Sequence, residues 1–178
     1  MRIRNYRQED LSEVVQIERL AREADGREPL DEDVFTNWLL SPSLNAADNV
    51  FVITNDDDEL REWGQAGTLE GIEGELAGYT SVQVHRDEHA FHILCQGAVS
   101  PPYRKMHAWR ALLVGALNRA RILEFDIDIE AEQAGLPIYF EALLPARDPF
   151  SAYLAAKCGM HLVDDPAPNG LRLYRCEL

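Results

Sequence analysis

Three basic side chains, those of Arg104, Lys105 and His107, lie between a Pro-Pro pair and an amphipathic stretch. Proline lacks the N–H that a sheet requires, so Pro101-Pro102 predicts the end of a strand. From Trp109 onward, apolar residues recur at the i, i+3, i+4, i+7 spacing of a helix face. The first N–H groups of a helix attract anions. The stretch therefore predicts a phosphate site at a strand-to-helix junction.

Groups that could move a proton are found just before this junction. His92 and Gln96 share parity along a predicted strand, so we expect both to face one side, with Cys95 on the other. Glu141 lies in the middle of another apolar strand, where a carboxylate must pair or shift its pKa. A surface position or a structural, hydrogen-bonded position is the other interpretation of these side chains.

The composition excludes several classes of function. With a net charge of −14 and no long basic stretch, the chain is expected to bind neither nucleic acid nor anionic lipid. No apolar run approaches the roughly 20 residues of a membrane helix, and the charged amino terminus is unlike a secretory signal, which together predict a cytoplasmic protein. Cys95, Cys158 and Cys176 are far apart, so we expect neither a disulfide framework nor a metal site.

The apolar patterns predict one α/β domain over residues 1–178, in the order β, α, α, β, β, β, α, β, α, β, β. Asp10 with Glu13 predicts a capping box for the first helix, and Asp148 predicts the N-cap of the last. The segment 124–133 is ambiguous between strand and helix; we predict a helical end capped by Gly135. A long acidic, glycine-rich loop around Trp63 is expected after the second strand. The predicted strands are near 3–6, 50–54, 76–84, 90–99, 136–144, 161–163 and 171–176.

With this order of elements, two motifs resemble those of the GNAT N-acetyltransferase superfamily. Ala98-Val99-Ser100-Pro101-Pro102-Tyr103-Arg104 is similar to the family's fourth-strand pattern, hydrophobic-x-Pro-x-x-Arg. Leu154 followed by Lys157-Cys158-Gly159-Met160 is similar in part to a later Leu-Tyr-x-Lys-x-Gly-Phe element. The resemblance covers nearly the whole chain.

The resemblance implies a mixed, mostly antiparallel seven-stranded sheet flanked by about four helices, an α/β (α+β) fold. It implies acetyl-CoA as cosubstrate, without a metal, bound in a cleft where the fourth and fifth strands splay apart. The partner is then a small-molecule or peptide amine, and a homodimer stays open. The implied cofactor-binding residues are Ala98, Val99, Arg104, Lys105, Met106, His107, Ala108 and Trp109. Members of the family often place a base, or a water molecule that relays to one, on or near the fourth strand, so the resemblance makes His92 and Gln96 the catalytic candidates.

The chain departs from the family at functional positions. His107 and Trp109 occupy the two small-residue positions of the phosphate loop, and Ala155 occupies the position where many members have the tyrosine that protonates the thiolate. Two functions therefore stay open. One is an acetyl-CoA-dependent N-acetyltransferase. The other is a GNAT-like module that binds a ligand or a protein partner without turnover.

Overall fold

Seven strands form one sheet in the order β1-β2-β3-β4-β5-β7-β6 in the computed structural model, which describes residues 1–55, 74–104, 107–163 and 170–178. β4 and β5 pair in parallel, and the other neighbouring strands pair antiparallel. The mixed, mostly antiparallel sheet is confirmed. The strands are β1 (Arg2–Asn5), β2 (Val50–Asn55), β3 (Glu75–Arg86), β4 (Phe91–Val99), β5 (Ile138–Pro145), β6 (His161–Leu162) and β7 (Leu171–Glu177).

The described residues form five α-helices rather than about four. The additional helix has a single turn, which is too short to leave a periodic signal in the sequence. Gly135 caps the longest helix with φ +65°, so the ambiguous segment 124–133 is helical, as predicted. The helices are α1 (Leu11–Asp25), α2 (Glu32–Leu39), α3 (Ala46–Asn49), α4 (Ala108–Ala134) and α5 (Ser151–Lys157).

Each face of the sheet has its own apolar core. On one face, Val14 of α1 and Phe35 of α2 pack with Tyr79 and Ala98 of the sheet. On the other face, α4 and α5 cover a cluster that includes Ile93, Cys95 and Phe140. Because alternate residues of a strand face opposite sides, Cys95 lies on the α4 side and the side chain of Gln96 on the α1 side, as the parity predicts.

Three predicted features lie outside the described residues. They are the glycine-rich loop with Trp63, the pair Lys105 and Met106, and the turn over residues 164–169.

The predicted capping box at α1 is wrong. The Asp10 carboxylate turns back to β1, where Arg4 donates two hydrogen bonds at 2.7 and 2.8 Å, and it also accepts the Arg7 N–H at 2.8 Å. Because its oxygens are used there, Asp10 does not cap α1, and a short 3-10 helix over Gln8–Asp10 precedes α1 instead.

The start of the last helix is also later than predicted. Asp148 accepts the N–H of Phe150 at 3.0 Å within the preceding turn, and α5 begins at Ser151. The Ser151 hydroxyl donates to the carbonyl of Pro145 at 2.8 Å and so joins the start of α5 to the end of β5.

Asp10 makes the stability of the fold depend on pH. Burial raises the pKa of Asp10, but the bonds from Arg4 and from the Arg7 N–H outweigh it, and the net pKa lies below the usual value. A lowered pKa contributes stability at neutral pH that is lost as the pH falls below about 4 and the carboxyl becomes protonated. Asp10→Asn is therefore expected to lower the urea midpoint at pH 7 and to lower it much less near pH 3. An equal loss at both pH values would contradict this role.

Candidate active site

β4 and β5 separate toward their carboxyl ends. Their parallel pairing extends from Phe91 opposite Ile138 to Cys95 opposite Ala142 and then stops, although β4 continues to Val99 and β5 to Pro145. The last residues of β4 remain paired with β3 on their other side. The divergence therefore leaves an unpaired backbone edge inside the sheet.

The peptide groups of Val99 face this open edge. The next residue, Ser100, donates its N–H to Ala77 of β3 at 2.9 Å. Along an antiparallel strand, the N–H and C=O groups of successive residues point alternately toward and away from the neighbouring strand. The N–H and C=O of Val99 therefore point away from β3, and those of Ala98 point toward it. The Val99 carbonyl accepts the Nε–H of Arg104 at 3.3 Å. The N–H of Val99 points to the same open edge, where it can donate a hydrogen bond to a ligand.

The guanidinium of Arg104 is bound by a buried carboxylate. It forms two hydrogen bonds with Asp25, at 2.6 and 3.0 Å, and contacts the carbonyl of Ala21 at 3.4 Å. Asp25 is the last residue of α1, so this pair joins the end of α1 to the end of β4. The structure therefore places the Arg104 side chain with Asp25 and not at a free phosphate position.

His107, which precedes α4, has a backbone conformation that is most common for glycine. Its φ is +62°, in the left-handed region that favours glycine but that histidine also enters. The first intrahelical bond runs from Ala111 N–H to the His107 carbonyl, at 3.2 Å. The N–H groups of Ala108, Trp109 and Arg110 precede it and have no acceptor within the helix. This end of α4 can bind an anion through its backbone.

A cavity of about 320 Å³ lies on the α1 face, beside the point where the strands diverge. Gln96, Gly97 and Leu143 line it on the sheet side. No side chain fits at Gly97, since a Cβ there would lie 2.2 Å from the Tyr79 carbonyl oxygen. The α1 and α2 side of the wall includes Glu18, Arg22, Arg27, Leu30, Phe35 and Trp38.

The two catalytic candidates from the sequence lie in different surroundings. Gln96 lines the cavity, and its side-chain amide has no partner among the described residues. His92 does not line it. Its Nδ1 contacts Glu141 and its Nε2 contacts Asp87, both at 3.1 Å. With both ring nitrogens against carboxylates, the imidazole has no lone pair directed at a substrate.

Glu141 is paired, which is one of the two outcomes expected of a carboxylate in an apolar strand. It is 6% exposed, and Arg175 of β7 binds it through Nε at 2.8 Å and through Nη2 at 2.5 Å. This pair and His92 join β4, β5 and β7.

None of the three cysteines offers an activated thiol. Burial raises the pKa of Cys95 to about 11, and it also raises the pKa of Cys158 and Cys176. A raised pKa keeps a thiol protonated and unreactive. Among the described residues, no group of three or more His, Cys, Asp or Glu side chains could hold a metal ion. Over the same residues, no helix is long and apolar enough to cross a membrane.

Solved structures supply the comparison with known proteins. A ribosomal-protein-alanine N-acetyltransferase from Brucella melitensis superposes with a TM-score of 0.62 at 17% identity, with 100% of both chains covered. The yncA protein of Salmonella typhimurium, assigned as an acetyltransferase and solved with its cofactor acetyl-CoA, gives 0.63 at 16% identity over 100% of this chain and 94% of that one. A GCN5-related N-acetyltransferase from Sphaerobacter thermophilus gives 0.58 at 17% identity over 94% of this chain, which spans only 48% of that protein.

This chain has the GNAT fold. No protein-family model matches the sequence, and no curated protein matches it. At these identities the similarity establishes the fold alone.

Trp109, at a small-residue position of the GNAT phosphate loop, belongs to the core. It is 4% exposed and packs in the cluster between α4 and the sheet. Its indole N–H is buried and has no hydrogen-bond partner in the described part of the chain. The side chain therefore packs between α4 and the sheet, and only the backbone N–H of Trp109 lies at the N-terminal end of α4.

The position of the family's tyrosine is occupied by a core residue. Ala155 is fully buried in the apolar cluster beneath α5. Tyr153 is 59% exposed, with the Lys157 ammonium 5.5 Å from its ring centroid. The Tyr153 side chain therefore lies on the exposed side of α5, away from the buried position of Ala155.

The buried carboxylates of α1, Glu18 at the cavity and Asp25 beside Arg104, were not found from the sequence. Glu18 and Asp25 lie on the same stripe of α1 as the buried Val14 and Ala21. Acidic residues on a core-facing stripe are a signal that could have identified them, because a buried carboxylate needs a partner.

We expect Trp109→Gly to destabilise the fold more than it changes ligand binding. Loss of the buried indole should lower the free energy of unfolding by about 3–5 kcal/mol, measured by urea denaturation. The dissociation constant of acetyl-CoA should change by less than about threefold. The control Arg110→Gly, at an exposed position of the same turn, should cost only about 1 kcal/mol. A large change in affinity with an unaltered melting temperature would contradict this assignment.

Proposed function

We propose that this protein transfers an acetyl group from acetyl-CoA to an amine of a small molecule or peptide. The observation that carries the proposal is the divergence of β4 and β5 beside a cavity. It combines an unpaired strand edge, a helix N-terminus and a cavity open to solvent that can hold an acceptor. We also propose, as the sequence predicts, that residues 1–178 form one catalytic domain that works in the cytoplasm.

The described residues fit acetyl-CoA. The open edge at Val99 offers an N–H to an amide-containing chain such as pantetheine, and the N–H groups of Ala108, Trp109 and Arg110 suit a pyrophosphate. The Trp109 side chain is in the core and does not fill this space. Arg104 contributes by fixing the backbone, since its guanidinium is bound to Asp25. When bound, acetyl-CoA supplies an activated thioester.

The cavity wall determines how an acceptor is handled. A neutral amine is the nucleophile in acyl transfer, so a proton must leave the ammonium form. Gln96 offers an amide oxygen and an N–H₂ group to the amine or to a water molecule beside it. Glu18 is already held by two guanidiniums, and His92 lies between two carboxylates. We therefore assign Gln96 to orientation of the acceptor and His92 to support of the sheet.

Calorimetry with acetyl-CoA and with CoA tests the proposal. We expect both to bind with micromolar dissociation constants, and we expect transfer to an amine panel, followed by release of the free thiol. Absence of binding at millimolar ligand would exclude the acetyltransferase. Binding of acetyl-CoA without transfer to any amine would instead favour a GNAT-like module that has lost turnover.

A further inference from the structure

The inner end of the cavity holds two guanidiniums and one buried carboxylate. The Oε1 atom of Glu18 accepts from Arg22 Nε at 2.7 Å and from Arg27 Nη2 at 3.3 Å. Its Oε2 accepts from the Tyr79 hydroxyl at 2.8 Å. Burial, and then the Glu18 carboxylate, raise the pKa of Tyr79 well above its usual value, so that this hydroxyl stays neutral. The cluster therefore has a formal charge of +1.

We propose that the acceptor amine carries a carboxylate, which binds to Arg22 and Arg27. This inference rests on the proposed function. The side chains of Glu18 and Arg27 are only 5% and 7% exposed, and the side chain of Arg22 is 22% exposed. A net charge in such a place is costly unless a counter-charge is supplied. In a chain of net charge −14, an uncompensated positive cluster facing a cavity indicates an anionic ligand.

The guanidiniums also have unused hydrogen-bonding capacity. Arg27 Nε is buried and has no partner in the described residues. Among the residues that the structure describes, Arg22 makes only one contact beyond Glu18, a long one of 3.5 Å with the Glu28 carbonyl. A carboxylate ligand would balance the positive charge of the cluster. It would also accept hydrogen bonds from the guanidiniums, because a carboxylate can accept two N–H groups from one guanidinium.

Other charges near the cavity do not cancel this preference. Asp31 also lines the wall, but it is exposed at the rim, and its Oδ1 accepts the Val34 N–H at the start of α2. Solvent screens a charge in that position. Asp25 is neutralised by Arg104.

The wall between the two ends of the cavity is aromatic. The Phe35 ring lies 5.9 Å from the Tyr79 ring and 5.3 Å from the Trp38 ring, measured between centroids. Tyr79 connects the two ends, since its backbone pairs with Ala98 of β4 and its hydroxyl binds Glu18. The carboxylate site and the open strand edge are thus separated by one tyrosine side chain and by the width of β4, about 5 Å. This spacing suits an acceptor whose amine and carboxylate are separated by an apolar spacer.

The test compares acceptors that differ only in charge. The probes are δ-aminovalerate and para-(aminomethyl)benzoate, each with its neutral primary amide. For the wild-type protein, we expect kcat/KM to be roughly tenfold or more higher for each carboxylate than for its amide. An equal or higher kcat/KM for the amides would overturn the inference.

Three variants connect this preference to the cluster. Arg27→Gln should reduce the carboxylate-to-amide ratio to near one. Glu18→Gln keeps an oxygen for Tyr79 but raises the charge of the cluster, so the ratio should increase. Arg175→Gln removes a guanidinium from another buried carboxylate outside the cavity and should leave the ratio unchanged. A ratio that stays at the wild-type value in both R27Q and E18Q would contradict the proposed carboxylate site.

Failure of this inference is distinguishable from failure of the proposed function. Calorimetry measures the affinity of the protein for acetyl-CoA and, in separate titrations, its affinity for each carboxylate and for the matching amide. If acetyl-CoA does not bind, the acetyltransferase is excluded, and the preference for the carboxylate is still tested on the protein alone. If acetyl-CoA binds and amines are acetylated without a carboxylate preference, only the carboxylate inference fails.

A second observation, independent of catalysis, concerns the outer face of α4. Four large apolar side chains form an outer stripe on this face: Val114, Ile122, Phe125 and Ile129 are 44%, 55%, 82% and 70% exposed. By the helical period they lie opposite the face that packs on the sheet. Ile122, Phe125 and Ile129 are neighbours on successive turns, and Asn118 separates them from Val114. Single exposed apolar residues are common, but neighbouring large ones are typical of an interface.

The charges beside the outer stripe indicate a second copy of this chain as the partner. Arg121 lies one turn before Phe125 and Asp128 nearly one turn after it, on the same flank of the stripe. The geometry points to an antiparallel pair of α4 helices centred on Phe125. In that pair, Ile122 lies against Ile129 of the other copy, and Arg121 lies beside its Asp128.

Light scattering coupled to size exclusion tests this dimer. The wild-type protein should be dimeric at micromolar concentration, and Phe125→Glu should be monomeric. The monomeric variant should still unfold cooperatively, with only the stability that association contributed being lost. The control Phe150→Glu alters an aromatic residue that is 58% exposed elsewhere and should stay dimeric. A monomeric wild type, or a dimeric F125E, would overturn the proposal.

Charge exchange tests the antiparallel pairing. Arg121→Asp places like charges together and should weaken the dimer, and the double variant R121D/D128R should restore it. Failure of the double variant to recover association after R121D has weakened it would contradict the antiparallel arrangement.

Discussion

The pairing of Arg104 with Asp25 joins three parts of the molecule. It holds the last residue of α1 against the turn that follows β4, and the same guanidinium caps the carbonyl of Val99. Asp25 is 4% exposed, so removal of either partner would leave a buried charge uncompensated. The end of β4, the turn that follows it and the carboxyl end of α1 therefore depend on one ion pair.

Most of the fold could be predicted because its signals are local. The Pro-Pro stop after Val99, the apolar period of α4 and the glycine cap at Gly135 are each encoded within a few residues. The motif around Arg104 then placed these elements in a GNAT-like order. The wrong prediction at Asp10 arose because two groups compete for its carboxylate. The carboxylate could cap α1 or bind Arg4, and only the folded chain brings Arg4 within 2.7 Å of it.

The site was less predictable, because its contacts join distant parts of the sequence. Arg104 and Asp25 are 79 residues apart, and Glu18 and Tyr79 are 61 apart. A basic residue beside a helix start suggests a phosphate contact, and nothing local shows that a carboxylate on α1 binds it first. Gln96 lines the cavity and shares its strand face with His92, as parity predicts. Parity could not show that Asp87 and Glu141 bind both nitrogens of His92.

In a chain with a strong negative net charge, the positive charge beside the cavity is notable because it can attract an anion. A surface with net charge −14 repels anions at long range, but the α4 N-terminus and the Arg22–Arg27 cluster offer positive potential at two defined places. One suits the phosphates of a cofactor and the other suits a carboxylate on the acceptor. The unpaired edge of β4 lies near the cavity between them.

The most direct test of this account is a titration of nitrogen-labelled protein with acetyl-CoA, followed through backbone amide resonances. The account predicts the largest shifts at the N–H groups of Val99 and of Ala108 through Arg110, and little change at His92. Unchanged resonances at Val99 and at the start of α4 under saturating acetyl-CoA would contradict it.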